Sequence, residues 1–448
     1  MNSIVIYLIL LIVLILMGCT LPFTFLITSI AITLGEGGSI ATSTNAVFNS
    51  LNSYSLMAVP LFMIGGSLMQ KTGIADKLVV LCEVALRKIR GGLGVVIPAA
   101  AMLFGMLTGS GSATAATISS ILCDKMSDLG WERRYISAMV TASSPLGFMI
   151  PPNMNAILFA TVISVSVSRL FLCTIIPGII WALGYIVVHF LTYKNYYHPS
   201  EEVVARYQHS DEIKLSDGTV KKTHPMVHAL IDAIPALLMA LIMLGGIFSG
   251  IFSPTEAGAV SALYAILVGL FFYKNLKGEA FVSTFRQTGM NIGMTMIMVP
   301  FIKYFTTFVI KSGATQELTR WMLNTLKEPW MIIVAVDILF VACGFFFDAN
   351  VLTLVLPPII YPTMQAVGID AVQFGCMVFI AIGIGVMTPP VASNFYTSAR
   401  ICEIDPMTAV KPIVPLIVFV AIPVLLLVSF VPGLTHWLPD LVMGVASV

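Results

Sequence analysis

The residues of this sequence best placed to bind a ligand surround two Pro-Pro pairs inside apolar stretches. They are Gly147-Phe148-Met149-Ile150-Pro151-Pro152-Asn153 and Gly385-Val386-Met387-Thr388-Pro389-Pro390-Val391. Two adjacent prolines remove two backbone donors and disfavour the helical form of the residue before them. The freed carbonyls suit a desolvated cation, and helix N-termini suit a carboxylate. A plain proline kink is the alternative, but the repetition of the motif favours a binding site.

Polar residues interrupt two other apolar stretches halfway. The interruption in residues 92–124 is Gly109-Ser110-Gly111-Ser112, and that in residues 330–366 is Asp348-Ala349-Asn350. Each stretch therefore predicts a re-entrant helical hairpin with a polar tip. Hydroxyl and carbonyl oxygens suit a hard monovalent cation, although Ser and Thr in membrane helices also bond to the preceding turn. Further polar side chains stand beside the Pro-Pro breaks: Ser143, Ser144, Thr388, Ser393 and Asn394.

Three ionisable residues, Lys303, Asp337 and Asp348, fall within apolar stretches. A charge at the bilayer centre costs roughly 2.5–3.5 kcal/mol on insertion scales, so each one needs an explanation. Asp348, at the second tip, is a candidate cation ligand. Lys303 either pairs with an anionic substrate, forms an ion pair with Asp337 or extends its ammonium group to the interface. Asp337 itself is interpreted as a structural capping or pairing residue.

The composition excludes a soluble globule. Of 448 residues, 58% are hydrophobic and 10% are charged, whereas roughly a quarter are charged in an ordinary soluble domain. Mean hydropathy is +0.96, as expected of a chain whose solvent is the lipid bilayer. The net charge of +1, without clustered Lys or Arg, gives no reason to expect a nucleic-acid partner. The seven cysteines form no CxxC pair, so we expect no disulfide, bound metal or organic cofactor.

Apolar stretches predict ten crossings of the bilayer, near residues 4–17, 20–34, 54–70, 134–162, 170–193, 226–249, 257–273, 291–310, 371–398 and 412–432. With the N-terminus outside, most Lys and Arg residues lie in the cytoplasm, many of them in the polar loop 194–225. Because Lys and Arg determine topology, this orientation is the favoured one, and both termini are predicted to lie outside.

The two halves of the chain are related by an internal repeat. An offset of 240 residues places Lys71 on Lys311 and Gly73 on Gly313, and it aligns Met63 with Lys303. An offset of 238 residues superimposes the two Gly-x-Met-x-Pro-Pro motifs and the two hairpin tips. By the charge count the first hairpin opens to the cytoplasm and the second opens outward, so the repeats are inverted. Inverted repeats with broken helices are typical of secondary transporters that bind their substrate at the midplane.

The predicted fold is therefore an all-α polytopic membrane protein built from inverted repeats, each with a re-entrant hairpin and a Pro-broken helix. Its predicted parts are N-terminal scaffold helices (1–53), a first inverted repeat (54–193) with the hairpin 92–124, a cytoplasmic loop (194–225), scaffold helices (226–290) and a second inverted repeat (291–448) with the hairpin 330–366.

These motifs resemble the large membrane subunit of the tripartite ATP-independent periplasmic (TRAP) transporters, within the ion transporter superfamily. The likeness covers nearly the whole chain. It rests on Ala58-Val59-Pro60-Leu61-Phe62, the tip from Gly109 to Ala116, Ile150-Pro151-Pro152-Asn153, Gly250-Ile251-Phe252-Ser253-Pro254-Thr255-Glu256-Ala257 and Met387-Thr388-Pro389-Pro390. The resemblance implies a multi-pass protein of the bacterial inner membrane, with periplasmic termini, that imports small organic anions on a sodium gradient by an elevator movement.

The same resemblance implies partners and ligands. The partners are a small four-helix membrane subunit, expected here as a separate chain, and a periplasmic substrate-binding protein. The family's sodium positions carry over to Ser110, Ser112, Gly147, Asp348, Asn350 and Thr388. The expected anion is a carboxylate such as a C4-dicarboxylate, a keto acid or a sugar acid. We expect it to bind among Ser110, Ser143, Ser144, Asn153, Lys303 and Asn394.

Two alternatives remain open on the sequence alone. One is a stand-alone sodium/anion symporter of the same superfamily, which needs no binding protein. The other is an intramembrane enzyme, which is disfavoured because the chain has no HExxH or Gly-x-Ser-x-Gly motif.

Overall fold

A computed structural model describes residues 2–200, 212–214, 220–222, 225–276, 278–389 and 392–444. These residues are almost entirely helical. The helices are α1 (Asn2–Leu16), α2 (Leu21–Gly35), α3 (Ile40–Leu51), α4 (Ala58–Lys71), α5 (Ile74–Leu86), α6 (Gly92–Thr108), α7 (Gly111–Asp128), α8 (Arg133–Ser143), α9 (Leu146–Met149), α10 (Met154–Ile163), α11 (Val167–Thr192), α12 (Pro225–Phe248), α13 (Pro254–Leu267), α14 (Glu279–Lys311), α15 (Ala314–Thr325), α16 (Pro329–Gly344), α17 (Ala349–Ala366), α18 (Ala371–Met387), α19 (Ser393–Ile401), α20 (Val410–Leu416), α21 (Ile422–Phe430) and α22 (Gly433–Met443).

Two short strands, β1 (Glu212–Lys214) and β2 (Val220–Lys222), pair antiparallel within the polar loop between the halves. The rest of residues 201–224 of the predicted cytoplasmic loop lies outside the described residues. So do Pro390 and Val391 of the second Pro-Pro break.

The long apolar helices set the membrane-spanning framework. Five of the described helical segments are long and apolar enough to cross a bilayer, or seven if each of two bent pairs counts as one span. The pair that contains the first Pro-Pro break, residues 133–163, bends by 49°. Several of the ten predicted crossings are shorter helices. For example, α1 and α2 have 15 residues each, or about 22 Å of helix against a hydrocarbon core of about 30 Å.

The structure repeats the pattern seen in the sequence. In each half a hairpin (α6–α7 or α16–α17) precedes a broken helix (α8–α10 or α18–α19). Sequence analysis missed two further related helices, α5 and α15, because they are too polar and short to resemble a span. Each begins after a glycine with positive φ, +73° at Gly73 and +82° at Gly313. Helix α14 begins before the predicted span at 291, so the predicted boundary between 290 and 291 falls inside one continuous helix.

Glycines allow each hairpin to pack tightly against its broken helix. A Cβ atom on Gly105 of α6 would collide with the Cα of Gly147 in α9. In the second half, a Cβ on Gly344 of α16 would lie 2.9 Å from the Cα of Gly385 in α18. These two glycine contacts bring backbone against backbone, which residues with larger side chains do not permit.

Aromatic residues hold the base of the first hairpin. The buried His189 ring of α11 makes hydrogen bonds through Nε2 to the carbonyl oxygen of Gly91 (2.9 Å) and through Nδ1 to the hydroxyl of Tyr135 (2.7 Å). Trp131, just after α7, stacks on Tyr135 and on Tyr197. The two ends of the first hairpin are therefore attached to the end of α11.

An ionic cluster holds the C-terminal helix α22. His436 Nε2 lies 2.6 Å from Asp370 Oδ2, and Arg169 Nη1 lies 3.0 Å from Asp440 Oδ1. The hydrogen bond to Asp370 raises the pKa of His436 above 6.5; Asp440 adds to this effect, whereas burial and Arg169 oppose it. Burial raises the pKa of Asp370, but the hydrogen bond and charge of His436, together with hydrogen bonds from the Val372 and Gln373 amides, outweigh it, so the carboxyl pKa lies below 3.8. Each member of the pair therefore favours the charged form of the other.

The glycine contacts predict the effect of adding one methyl group. We expect Gly105→Ala and Gly385→Ala each to lower the free energy of unfolding by about 1–3 kcal/mol, because the added methyl meets backbone that has no alternative position. Gly293→Ala in α14 is the matched control, since its Cβ would meet nothing within 4 Å. Thermal unfolding of the purified protein measures all three. Equal changes in the free energy of unfolding in the three variants would contradict the close packing of these glycines.

The His436–Asp370 pair predicts a pH-dependent stability. A histidine pKa that is raised on folding contributes stability below pH 6.5, and this contribution is lost as the pH rises through the raised value. We therefore expect the melting temperatures of wild type and His436→Gln to differ most near pH 6 and to converge toward pH 9. A difference that stays constant between these pH values would show that the charged pair does not stabilise α22.

Candidate functional site

Both hairpin tips and both helix breaks line a single cavity, the tip cavity, of about 70 Å³. It lies where the predicted repeats meet, and its lining comes from six helices and their caps. The lining residues are Gly109, Ser110, Gly111, Ser112, Phe148, Met154, Asn155, Asp348, Ala349, Asn350, Val386, Ser393 and Asn394.

The first tip places two hydroxyl groups at the cavity. Ser110 is the N-cap of α7 and accepts a hydrogen bond from the Ala113 amide (3.4 Å), while its Oγ lies 3.2 Å from that of Ser112. Gly109 has φ of +60°, and a Cβ there would lie 2.8 Å from the carbonyl oxygen of Pro152. Glycine at this position lets the tip touch the first Pro-Pro break directly.

The second tip places a carboxylate at the equivalent position. Asp348 is the N-cap of α17, and its Oδ1 accepts a hydrogen bond from the Asn350 amide (2.9 Å). Asp348 is exposed, and within the described residues no cationic side chain forms an ion pair with it. The carboxylate and the Asn350 side chain therefore remain available to a cation.

The two broken helices are connected beside the cavity. The Nδ2 atom of Asn394 donates a hydrogen bond to the hydroxyl of Ser144 (2.8 Å), and both residues are buried. Asn153 is the N-cap of α10, where its Oδ1 accepts from the Ala156 amide (2.6 Å). Its Nδ2 and the hydroxyl of Ser143 are buried and have no hydrogen-bond partner among the described residues. Unpaired buried polar atoms of this kind are costly, and they mark places where a ligand group or water fits.

The cavity joins two opposite electrostatic features. Among the described residues that line it, Asp348 is the one with a charge. Four helices, α7, α10, α17 and α19, begin at or beside lining residues. A helix N-terminus carries roughly +0.5 of an elementary charge, so four of them favour an anion. The arrangement can hold a cation on carboxylate and hydroxyl oxygens and a carboxylate on the helix N-termini.

The structure brings together only part of the predicted site. Ser110, Ser112, Asp348, Asn350 and Asn394 line the cavity, whereas five other predicted residues lie beside it. Gly147 packs against Gly105 and Thr114, and the Thr388 hydroxyl donates to the Ile384 carbonyl of its own helix. Ser143, Ser144 and Asn153 are buried in the helices behind the cavity.

Sequence analysis did not name two of the lining residues, Met154 and Asn155. Asn155 was detectable, because it is an amide in an apolar stretch two positions after Asn153. Met154 gave no such signal, since apolar residues are common throughout the chain.

Lys303 lies elsewhere, which corrects its predicted place in the anion site. It lines a separate cavity of about 410 Å³, the lysine cavity, together with Ala46, Ser50, Thr161, Val162, Tyr304, Thr306, Thr307, Phe308, Ile310, Lys311 and Pro358. The predicted alternative of an ion pair with Asp337 is also absent from the described residues. The Asp337 carboxylate is buried and accepts a hydrogen bond from the Ser429 hydroxyl (2.7 Å), which is the structural role expected of it.

Comparisons with known proteins agree with this architecture. Residues 8–434 match the family model described as tripartite ATP-independent periplasmic transporter, DctM component. The chain is 28% identical over 429 residues to the sialic acid TRAP transporter large permease protein SiaM of Vibrio cholerae, covering 95% of this chain and 96% of that protein. It is 27% identical over 412 residues to the C4-dicarboxylate TRAP transporter large permease protein DctM of Pseudomonas aeruginosa, covering 92% of each.

A solved structure supports the fold alone. The YdaH transporter of Alcanivorax borkumensis is similar with a TM-score of 0.58 at 13% sequence identity, over 88% of this chain and 87% of that chain.

The bond between Ser144 and Asn394 predicts coupling between the two broken helices. In a double-mutant cycle of Ser144→Ala and Asn394→Ala, we expect an interaction free energy of at least about 0.5 kcal/mol, because each change removes the same buried hydrogen bond. Thr397→Ala, on the same helix as Asn394, is the matched control and should combine additively with Ser144→Ala. Denaturation of the purified protein provides the free energies, and additivity in both cycles would contradict the connection.

Proposed function

Since the chain belongs to the family of DctM components of the tripartite ATP-independent periplasmic transporters, we propose that it imports small organic anions driven by a sodium gradient. The predicted family is confirmed, and the chain is a large membrane permease subunit rather than an enzyme. The intramembrane enzyme considered on the sequence is therefore set aside.

The tip cavity is the observation that carries the proposal. Its Asp348 carboxylate, with the Ser110, Ser112 and Asn350 side chains, offers the oxygen atoms that a monovalent cation needs. Its helix N-termini offer the positive partial charge that a carboxylate needs. At about 70 Å³ the cavity accommodates an ion or a single carboxylate group.

Coupling follows from the position of Asp348. An empty cavity presents a bare carboxylate, which repels an incoming anion. Sodium neutralises that carboxylate and draws the two tips together, so the anion binds better after sodium is present. The coupling is reciprocal, because the anion must then increase the affinity for sodium by the same factor. An inward sodium gradient thereby drives uptake of the anion.

The substrate proposed is a carboxylate. The two relatives above are named for sialic acid and for C4-dicarboxylates, and both substrates carry carboxylate groups.

We propose that a periplasmic binding protein delivers this anion and that a small four-helix membrane subunit completes the complex in the inner membrane. We also propose that the tip cavity moves by an elevator mechanism. A stand-alone symporter is the alternative. Co-purification with a small membrane subunit supports the tripartite arrangement, and full transport without partners supports the symporter.

Sodium binding at the second tip predicts a specific stabilisation. We expect sodium chloride to raise the melting temperature of the purified protein above its value in potassium or choline chloride, because a ligand stabilises the state that it binds. Asp348→Asn should abolish most of this difference. Asp128→Asn, an exposed carboxylate outside the tip cavity, is the matched control and should retain it.

Transport tests the same proposal directly. In proteoliposomes with the partner proteins, we expect uptake to require an inward sodium gradient and to fall at least about tenfold in Asp348→Asn. Equal uptake with sodium replaced by choline would refute sodium coupling.

A further inference from the structure

The lysine cavity combines two cations with hydroxyl groups, and none of its described lining residues is acidic. Lys303 and Lys311 are both on α14, and the hydroxyls of Ser50, Thr161 and Thr307 also line the cavity. Within the described parts of the chain, neither lysine has an ion-pair partner. The hydroxyls of Ser50, Thr161 and Thr307 each donate to a carbonyl oxygen of their own helix. The two ammonium groups are therefore the donors that an anion would bind.

The uncompensated position of Lys303 needs an explanation. It is half-buried in a helix that spans the membrane, where an unpaired charge is costly. The neighbouring Tyr304 hydroxyl does not pair with the Lys303 ammonium group, because it lies within hydrogen-bond distance of the Thr33 (2.9 Å) and Ser43 (2.8 Å) hydroxyls. The repeat does not require a lysine there either, since Met63 is the equivalent residue of the first half. A bound anion supplies the missing partner.

Two helices connect the lysine cavity to the tip cavity. Helix α10 contributes Asn155 to the tip cavity and Thr161 to the lysine cavity. Helix α17 contributes Asn350 to the tip cavity and Pro358 to the lysine cavity. At about 1.5 Å of rise per residue, the cavities are about 9–12 Å apart along both helices. By the charge-based topology, the lysine cavity lies on the outer side.

We propose that the lysine cavity is a second anion site, which binds a small organic carboxylate on the outer side before it reaches the tip cavity. The proposal rests on the proposed import function and adds a separate binding step to it. The cavity volume of about 410 Å³ is within the usual range for small-molecule sites, whereas the tip cavity holds only an ion or one carboxylate group. An anion held by Lys303 needs no sodium, because the positive charge is supplied by the chain.

Sodium-free binding separates this site from the tip cavity. The purified protein is placed in nanodiscs of phosphatidylcholine in a choline buffer. Its melting temperature is then measured during titration with succinate, with N-acetylneuraminate and with inorganic phosphate. We expect at least one of the two carboxylates to stabilise the wild type. Lys303→Met should raise the apparent Kd at least about tenfold, because it removes a charge-assisted bond. Lys303→Arg should retain binding, and Asp348→Asn should bind as wild type does.

Lys311→Gln and Lys71→Gln form a matched pair. Both lysines are exposed, and they are equivalent in the repeat, but only Lys311 lines the cavity. We expect Lys311→Gln to weaken carboxylate binding and Lys71→Gln to leave it unchanged. This pair keeps the test decisive if Lys303→Met fails to fold.

Three results would overturn the proposal: no stabilisation of wild type by either carboxylate, loss of binding in Asp348→Asn but not in the lysine variants, or stabilisation only by phosphate or by added phosphatidylglycerol. The last result would assign the cavity to a lipid headgroup. Failure of sodium-driven uptake in proteoliposomes, with sodium-free binding intact, would instead refute the proposed function and leave the second anion site standing.

Discussion

Backbone contact between each hairpin and its broken helix is the constraint on which the site depends. Gly105 against Gly147, and Gly344 against Gly385, bring the backbone of each hairpin against the backbone of its broken helix. Lipid offers no hydrogen bonds, so irregular backbone is tolerated at membrane depth only where protein or a polar cavity covers it. The hairpins provide that cover, and their N-capping residues Ser110 and Asp348 then lie at the breaks. The polar tip cavity follows from this packing.

The sequence predicts the parts of this arrangement better than their contacts. Both hairpins and both breaks are visible in it because glycine, proline and polar residues interrupt otherwise apolar stretches, and these are strong local signals. Lys303 was placed wrongly because its position depends on how α14 packs against α10 and α17, and spacing along the chain does not determine that packing. The packing role of Gly105 and Gly344 was overlooked for a similar reason. Whether a glycine in an apolar helix allows close packing depends on the residue that it contacts, and the sequence does not show that residue.

The two repeats share a backbone but differ in charge. Ser110 and Ser112 of the first tip correspond to Asp348 and Asn350 of the second, and Met63 corresponds to Lys303. The first half therefore provides neutral oxygen atoms, whereas the second half provides both the negative charge of the tip cavity and the positive charge of the lysine cavity. The backbone that the two repeats share determines the shape of the site, and the residues that differ between the repeats determine its charges.

The unpaired Asp348 carboxylate has a consequence for the response to membrane voltage. A charge that crosses the whole membrane changes its energy by roughly 2.3 kcal/mol for every 100 mV. In a cell whose interior is negative, an empty cavity that moves with a bare carboxylate is therefore pushed toward the outer face. A single monovalent cation cancels the charge of Asp348, but the carboxylate substrate brings a further negative charge, so the loaded cavity escapes this force only when additional cations balance the substrate as well. Under the proposed mechanism, the membrane potential accelerates the return of the empty carrier.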